Sequence, residues 1–310
     1  MGFNTFPTDE MAALLERLAA EDGHLPDPTT LPAAEGRAQS ETLTQRWNVD
    51  LPPMADVQKL PLGLAQPGRL LVPHNDEGLG ALLYIHGGGW AFGSATTHER
   101  LARCLAVAAA APVAVFSYRL APENPYPAGL DDCRTAWNAF RDLMGRPALA
   151  LAGDSAGANL ALATMLAAQP DAQPTTALLF YGVYGNSFET PSYEAFDNAP
   201  VLTRSKMERF FDWYVAKELR HDPLVAPLLA TDEALASLPP LFISAAGIDP
   251  LRSESEALYQ RLLSLGRRDS FHMHEGVVHG FLQMSSVLQE ANRAIDLAGQ
   301  GFQKAALSAR

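Results

Sequence analysis

Residues 148–168 read Ala-Leu-Ala-Leu-Ala-Gly-Asp-Ser-Ala-Gly-Ala-Asn-Leu-Ala-Leu-Ala-Thr-Met-Leu-Ala-Ala. An apolar, strand-like run leads into Gly153-Asp154-Ser155-Ala156-Gly157, and a strong helix former follows from Ala158. With glycine and serine each near 7% of residues, a G-x-S-x-G pattern arises by chance about 0.1 times in a chain of this length. Its context adds weight. A serine at the point of a strand-to-helix turn is strained and exposed, and only small neighbours avoid collision there. The helix N-terminus behind it carries partial positive charge, which favours a developing anion. A plain N-cap serine with a glycine turn is the bland alternative.

Working outward, the segments 55–60, 69–73, 81–85, 113–117, 149–152, 177–181, 241–245 and 270–274 read as strands. Several are continuously apolar, as strands buried on both faces are. Helical stretches separate them, with capping boxes suggested by Thr96/Glu99 and by Ser253/Glu256. Strand and helix alternating in this way predict an α/β fold with a mostly parallel sheet covered on both faces. Residues 185–230 break the alternation. They carry five glycine or proline punctuators around an aromatic-rich helix expected over 205–219, and they are too long for a simple connection. With residues 1–50, where Thr8 caps a helix and Pro26, Pro28 and Pro32 follow, they are expected to form a cap over a catalytic domain spanning 51–310.

His86-Gly87-Gly88-Gly89-Trp90 follows the strand 81–85. Three glycines after a core strand are costly in backbone entropy, so a geometric demand is expected. Bare amides that must reach a carbonyl oxygen make such a demand. A dinucleotide loop would need a last glycine where Phe92 stands, and no partner motif appears.

A serine nucleophile also needs a base and an orienting acid. Downstream histidines are His221, His272, His274 and His279. His221 falls in the insertion, and His272 and His274 alternate along one strand face without a convincing remaining metal-ligand set. His279 follows the last strand, where a loop reaches the carboxyl edge of the sheet. Asp249 follows the strand 241–245 and precedes Pro250. An Asx-type turn is its alternative role, and Asp222 lies in the insertion. Asp131 and Asp132 fit a helix first turn, and Glu123 fits a hydrogen-bond anchor. Cys104 and Cys133 sit in apolar helical contexts and read as packing residues.

Composition excludes other classes. The 310 residues are 47% apolar and 19% charged, so a large core is available and disorder is ruled out. A net charge of −12 argues against nucleic acid and anionic membranes as partners. The longest apolar run, 104–116, is interrupted by Pro112 and falls short of the ~20 residues that span a bilayer. No positive charge precedes Arg17, unlike a secretory signal, so a cytoplasmic protein is expected. Two cysteines cannot staple a chain this large, which fits a reducing compartment.

Taken together, His86 to Trp90, Tyr118-Arg119-Leu120-Ala121-Pro122-Glu123, Gly153 to Gly157, Asp249-Pro250-Leu251 and His279-Gly280-Phe281 resemble the hormone-sensitive-lipase-like branch of the α/β-hydrolase superfamily. Its bacterial carboxylesterases and acetyl esterases are the nearest in texture. The resemblance covers about residues 80–285 and implies an eight-stranded α/β-hydrolase fold with a helical cap. It implies Ser155 as nucleophile, His279 as base and Asp249 as its partner. It places the oxyanion hole on the backbone of Gly88, Gly89 and Ala156. Ala158, where a third glycine is frequent, and Arg252-Ser253, where an acidic residue is common, depart from the pattern without touching the triad. The implied activity is hydrolysis of short-chain acyl esters of small molecules, with no metal or organic cofactor. Trp90, Phe92, Tyr184 and Phe211 are expected to crowd the acyl pocket. An amidase, lactonase or acyltransferase on the same triad, and a ligand-binding protein on the same scaffold, are the rival readings. A homodimer is left open.

Overall fold

The computed structural model describes residues 3–309. One sheet contains β1 (Asp56–Leu60), β2 (Gly68–Val72), β3 (Gly80–Ile85), β4 (Val113–Phe116), β5 (Ala148–Asp154), β6 (Thr176–Phe180), β7 (Leu241–Ile248) and β8 (Ser270–Val278). Their order is β1-β2-β4-β3-β5-β6-β7-β8. β2 is antiparallel to both neighbours, and every pairing from β4 across to β8 is parallel. The helices are α1 (Asp9–Asp22), α2 (Ala33–Thr44), α3 (Glu99–Ala109), α4 (Ala128–Met144), α5 (Ala156–Ala167), α6 (Pro191–Ala195), α7 (Arg204–Tyr214), α8 (Asp232–Ala236), α9 (Arg252–Ser264) and α10 (Gln289–Ser308). The mostly parallel, helix-flanked sheet predicted from the alternation of segments is what forms.

Two apolar layers result from the strand period of two. In β3, Ala81, Leu83 and Ile85 belong to the layer built with α4, α5 and α9, while Leu82 and Tyr84 belong to the opposite layer, with α3 and α10. Each large side chain buried this way contributes about 1.5–3 kcal/mol. α5 is buried at every position from Ala156 to Met165, since β5 and β6 lie on one side and α4 on another. An all-round apolar sequence is what such a helix requires.

Several boundaries differ from expectation. β7 and β8 run on to Ile248 and Val278, past Gly247 and Gly276, and a bulge between Ala246 and Ile248 takes up the change of register there. Asp249 and His279 therefore leave the sheet directly, with no intervening loop. Neither predicted capping box forms. His98 and Leu251 occupy the N-cap positions without side-chain caps. Glu99 pairs instead with Arg69 and Arg103, and Glu256 pairs with Arg252. The aromatic helix ends at Tyr214, and a short 3-10 turn, Lys217–Leu219, follows.

Thr8 does cap α1, its Oγ1 accepting from the Met11 N–H. α2, the 3-10 turn Pro28–Thr30 and α7 gather beyond the carboxyl ends of the strands, where the turn packs on α7 and Asp27 pairs with Lys206 at 2.9 Å. Among the described residues, no helix is long and apolar enough to cross a membrane.

Candidate active site

The chain leaves β3 toward β4 on one side and crosses to β5 on the other, so β3 and β5 flank a point where strand order reverses. Open α/β sheets bind ligands at such a point. Register sets Ile85 beside Gly153, so the glycine-rich loop and the serine turn leave the sheet side by side.

Ser155 has φ 54° and ψ −121°, a strained conformation for a residue with a Cβ. The flanking glycines permit it. A Cβ on Gly153 would lie 2.5 Å from the Gly157 carbonyl oxygen, and one on Gly157 would overlap the Ile85 carbonyl oxygen. Asp154 is buried beneath the turn and accepts from Tyr84 Oη at 2.7 Å and from the Gly87 N–H at 2.9 Å. His98 Nε2 lies 3.4 Å from the same carboxylate. Burial favours the neutral acid, but His98 and these hydrogen bonds outweigh it and hold the Asp154 carboxyl below its usual range. His86, stacked on Tyr118 at 4.3 Å, is pushed down to about 3 by burial and by His98, and so stays neutral.

Asp249 is fully buried at the end of β7. Its Oδ1 accepts from the Leu251 N–H at 2.9 Å, which realises the Asx-type turn. Its Oδ2 lies 2.7 Å from His279 Nδ1, and His279 Nε2 lies 2.9 Å from Ser155 Oγ. The Asx turn and the charge partner are thus one residue performing both tasks. Tyr181 sets its ring edge against the imidazole at 4.9 Å. Ser155, Asp249 and His279, each directly after the end of its strand, β5, β7 or β8, are brought together here.

The loop after β3 turns through Gly88 (φ 113°) and Gly89 (φ 57°). Gly88 carbonyl accepts from Phe92 N–H at 2.8 Å, closing the turn, while the Gly88 and Gly89 amides have no acceptor among the described residues. The Ala156 amide opens α5 and has no intrahelical partner.

Ser155, His279, Gly88 and Gly89 line one cavity of about 260 Å³, with Phe92, Phe210, Met207, Trp47 and Met284 among its apolar walls. Of the four expected pocket residues, only Phe92 reaches it. Trp90 stacks on Tyr214 at 4.3 Å, and its Nε1–H donates to Asn159 Oδ1. Phe211 packs edge-on to Trp90, and Tyr184 is fully buried, its N–H donating to Glu254 Oε2. These aromatics bind the 185–230 segment to the core. Phe210, one position away on α7, faces the cavity instead, since adjacent helical residues point about 100° apart. Asp154 and His98 also line the cavity. Asp154 stood inside the quoted motif, but nothing in the spacing revealed its three donors.

The remaining candidates lie elsewhere. His272 stacks on Phe242, His274 Nδ1 meets Glu290 at 2.7 Å, and His221 contacts Asn186. Asp222 accepts from Tyr126 Oη, and Asp132 pairs with Arg119.

A family model described as the alpha/beta hydrolase fold matches residues 82–283. Carboxylesterase NlhH of Mycobacterium tuberculosis is 36% identical over 230 residues, 70% of this chain and 71% of that one. An ethyl acetate hydrolase of Pseudomonas putida is 33% identical over 260 residues, 80% of each chain. Among solved structures, an ester-hydrolase from the metagenome of Lake Arreo has a TM-score of 0.88 at 31% identity, covering 96% of this chain and 99% of its own. A thermostable esterase of Pseudomonas putida has a TM-score of 0.89 at 28% identity, covering 97% and 98%. With the fold, the motif order and these similarities in agreement, the chain belongs to the hormone-sensitive-lipase-like branch of the α/β-hydrolase family.

Proposed function

We propose that this protein is a serine carboxylesterase that hydrolyses short-acyl esters of small molecules through an acyl-enzyme. The continuous line of Asp249 Oδ2, His279 Nδ1, His279 Nε2 and Ser155 Oγ, with contacts of 2.7 and 2.9 Å at a cavity wall, carries the reading. His279 takes the proton as Ser155 Oγ attacks the ester carbonyl, and it returns that proton to the departing alcohol. Asp249 holds the imidazole with Nε2 toward the serine and stabilises the imidazolium. The amides of Gly88, Gly89 and Ala156 stabilise the tetrahedral oxyanion. Water then attacks the acyl-enzyme through the same base.

A cavity of about 260 Å³ lies below the ~300–1,000 Å³ of drug-sized sites, and this supports a preference for short acyl chains. Residues 1–50 and 185–230 act as its cap, a role supported by Asp27, Trp47, Lys206 and Phe210 sharing its walls. The similar proteins named esterases support the same reaction class.

The test is hydrolysis of p-nitrophenyl esters from acetate to dodecanoate by the protein and by its Ser155→Ala variant. A maximum at butyrate or shorter is expected, with kcat about 10⁶-fold lower in the variant, as for loss of a triad serine elsewhere. Undiminished turnover in Ser155→Ala would defeat the serine mechanism, and a maximum at octanoate or longer would defeat the short-acyl preference.

A further inference from the structure

The turn that presents the Gly88 and Gly89 amides needs its own carbonyls held, or it has no reason to keep one conformation. Gly88 carbonyl is held by Phe92 N–H, and Trp90 carbonyl accepts from Ala121 N–H at 2.9 Å. Ala91 carbonyl has a different partner. It accepts from Arg37 Nε at 2.8 Å, and Arg37 belongs to α2 in the N-terminal segment. The same guanidinium donates through Nη2 to Ala121 carbonyl at 3.0 Å and to Glu123 Oε2 at 2.7 Å, and through Nη1 to Glu123 Oε1 at 3.3 Å. It keeps the Glu123 carboxyl below its usual range.

Local geometry brings α2 this close. Gly36, the preceding residue, is buried where a Cβ would overlap the Pro28 carbonyl and stand 3.2 Å from the Phe92 ring. One planar fork thus joins three pieces of chain: α2, the 88–92 turn and the 121–123 loop that also braces that turn. A lysine has one ammonium on a flexible stem and cannot reproduce donors fixed in several directions.

We infer that Arg37 is a positioning residue for the oxyanion amides, so the N-terminal segment sets the rate of the chemical step as well as roofing the cavity. The inference rests on the carboxylesterase reading. Its signature is a fall in kcat with KM nearly unchanged, because an oxyanion donor acts on charge that develops only in the transition state. Loss of a donor outright costs about 10²–10³ in kcat, so a displaced turn in Arg37→Ala should cost about 10–100-fold. Arg37→Lys and Glu123→Gln should lose less.

The experiment compares these three variants with the unmodified protein on p-nitrophenyl acetate. The p-nitrophenolate released by a p-nitrophenyl phosphonate counts competent sites, so kcat is expressed per titrated serine and misfolded protein drops out. Inhibition by a trifluoromethyl ketone, whose serine adduct carries an oxyanion, gives the second readout. The expected result is an inhibition constant that rises across the series by the factor by which kcat/KM falls. Unchanged kcat per titrated site, or a rise in KM alone, would overturn the inference. Should Arg37→Ala not fold, Arg37→Lys and Glu123→Gln carry the same test. Full activity in Ser155→Ala would instead sink the underlying carboxylesterase reading, and the two failures are separate.

Discussion

Replacing Asp249 by asparagine removes one charge and leaves the shape of the site intact. Asp249 Oδ1 accepts from the Leu251 N–H and Oδ2 faces His279 Nδ1. An asparagine that keeps its oxygen on Leu251 must turn its NH₂ toward His279. The imidazole then accepts at Nδ1 and carries its proton on Nε2, aimed at Ser155 Oγ, where it cannot act as a base. The opposite amide orientation restores the productive tautomer but sets NH₂ against the Leu251 N–H in a fully buried position, at a cost of about 1–3 kcal/mol. Even then the imidazolium loses a carboxylate partner, worth about 4 kcal/mol for unit charges ~4 Å apart at an effective dielectric of 20. The two terms reach about 5–7 kcal/mol, or a loss of roughly 10⁴–10⁵ in kcat at about 1.4 kcal/mol per decade. Asp→Asn in a serine-protease triad costs about 10⁴, in line with this sum. Steady-state hydrolysis of p-nitrophenyl acetate, with the melting temperature as a control, measures it. A loss under tenfold in a folded Asp249→Asn variant would refute the role given to this carboxylate.

Gly89→Ala should lower kcat more than tenfold and destabilise the fold by about 1–3 kcal/mol, because the new Cβ overlaps the Phe210 ring at a backbone φ of 57°. Adding Phe210→Ala should restore part of the melting temperature while leaving the rate low, and full recovery of rate would show that the positive φ is dispensable. Glu254 is buried, and that burial pushes its carboxyl up to about 7 from 4.5 in spite of the Tyr184 and Gly185 N–H groups it accepts. Between those values the folded state binds more protons than the unfolded chain, so stability falls as pH rises, by about 3 kcal/mol across the window. Glu254→Gln can keep both hydrogen bonds and should gain melting temperature at pH 8 but not at pH 5; a variant less stable than the parent at pH 8 would contradict this.

Much of this was legible in the residues. Strands such as Ala81 to Ile85 are apolar at every position, so no periodicity could mislead, and the order of Ser155, Asp249 and His279 restricts how a sheet can gather them. What escaped was decided by direction. Trp90 and Phe92 are two apart in one turn, yet one is fixed by stacking on Tyr214 while the other borders the cavity. Phe210 and Phe211 differ in the same way around α7. Glu99 and Glu256 suit capping boxes by spacing, yet each pairs with an arginine four residues away on its own helix, Arg103 and Arg252, and Glu99 also meets Arg69 from β2. Arg37 carried no motif at all, and its partners lie 54 to 86 residues away.

From Ala156 to Met165 the helix behind the serine has no side open to water, and the turn it supports is wedged between carbonyls that leave no room for a single methyl group. Inherited variation in that quarter is expected to be purged almost completely. The proposed roof is put together differently, from two distant stretches that meet, among the described residues, through the Phe3 and Phe196 rings and the ion pair between Asp27 and Lys206. Each stretch can be exchanged, lengthened or recoloured with the furnace below left alone, provided Arg37 keeps its hold on the Ala91 carbonyl. Descendants of this chain should therefore diverge in which ester they accept long before they diverge in how they cleave it.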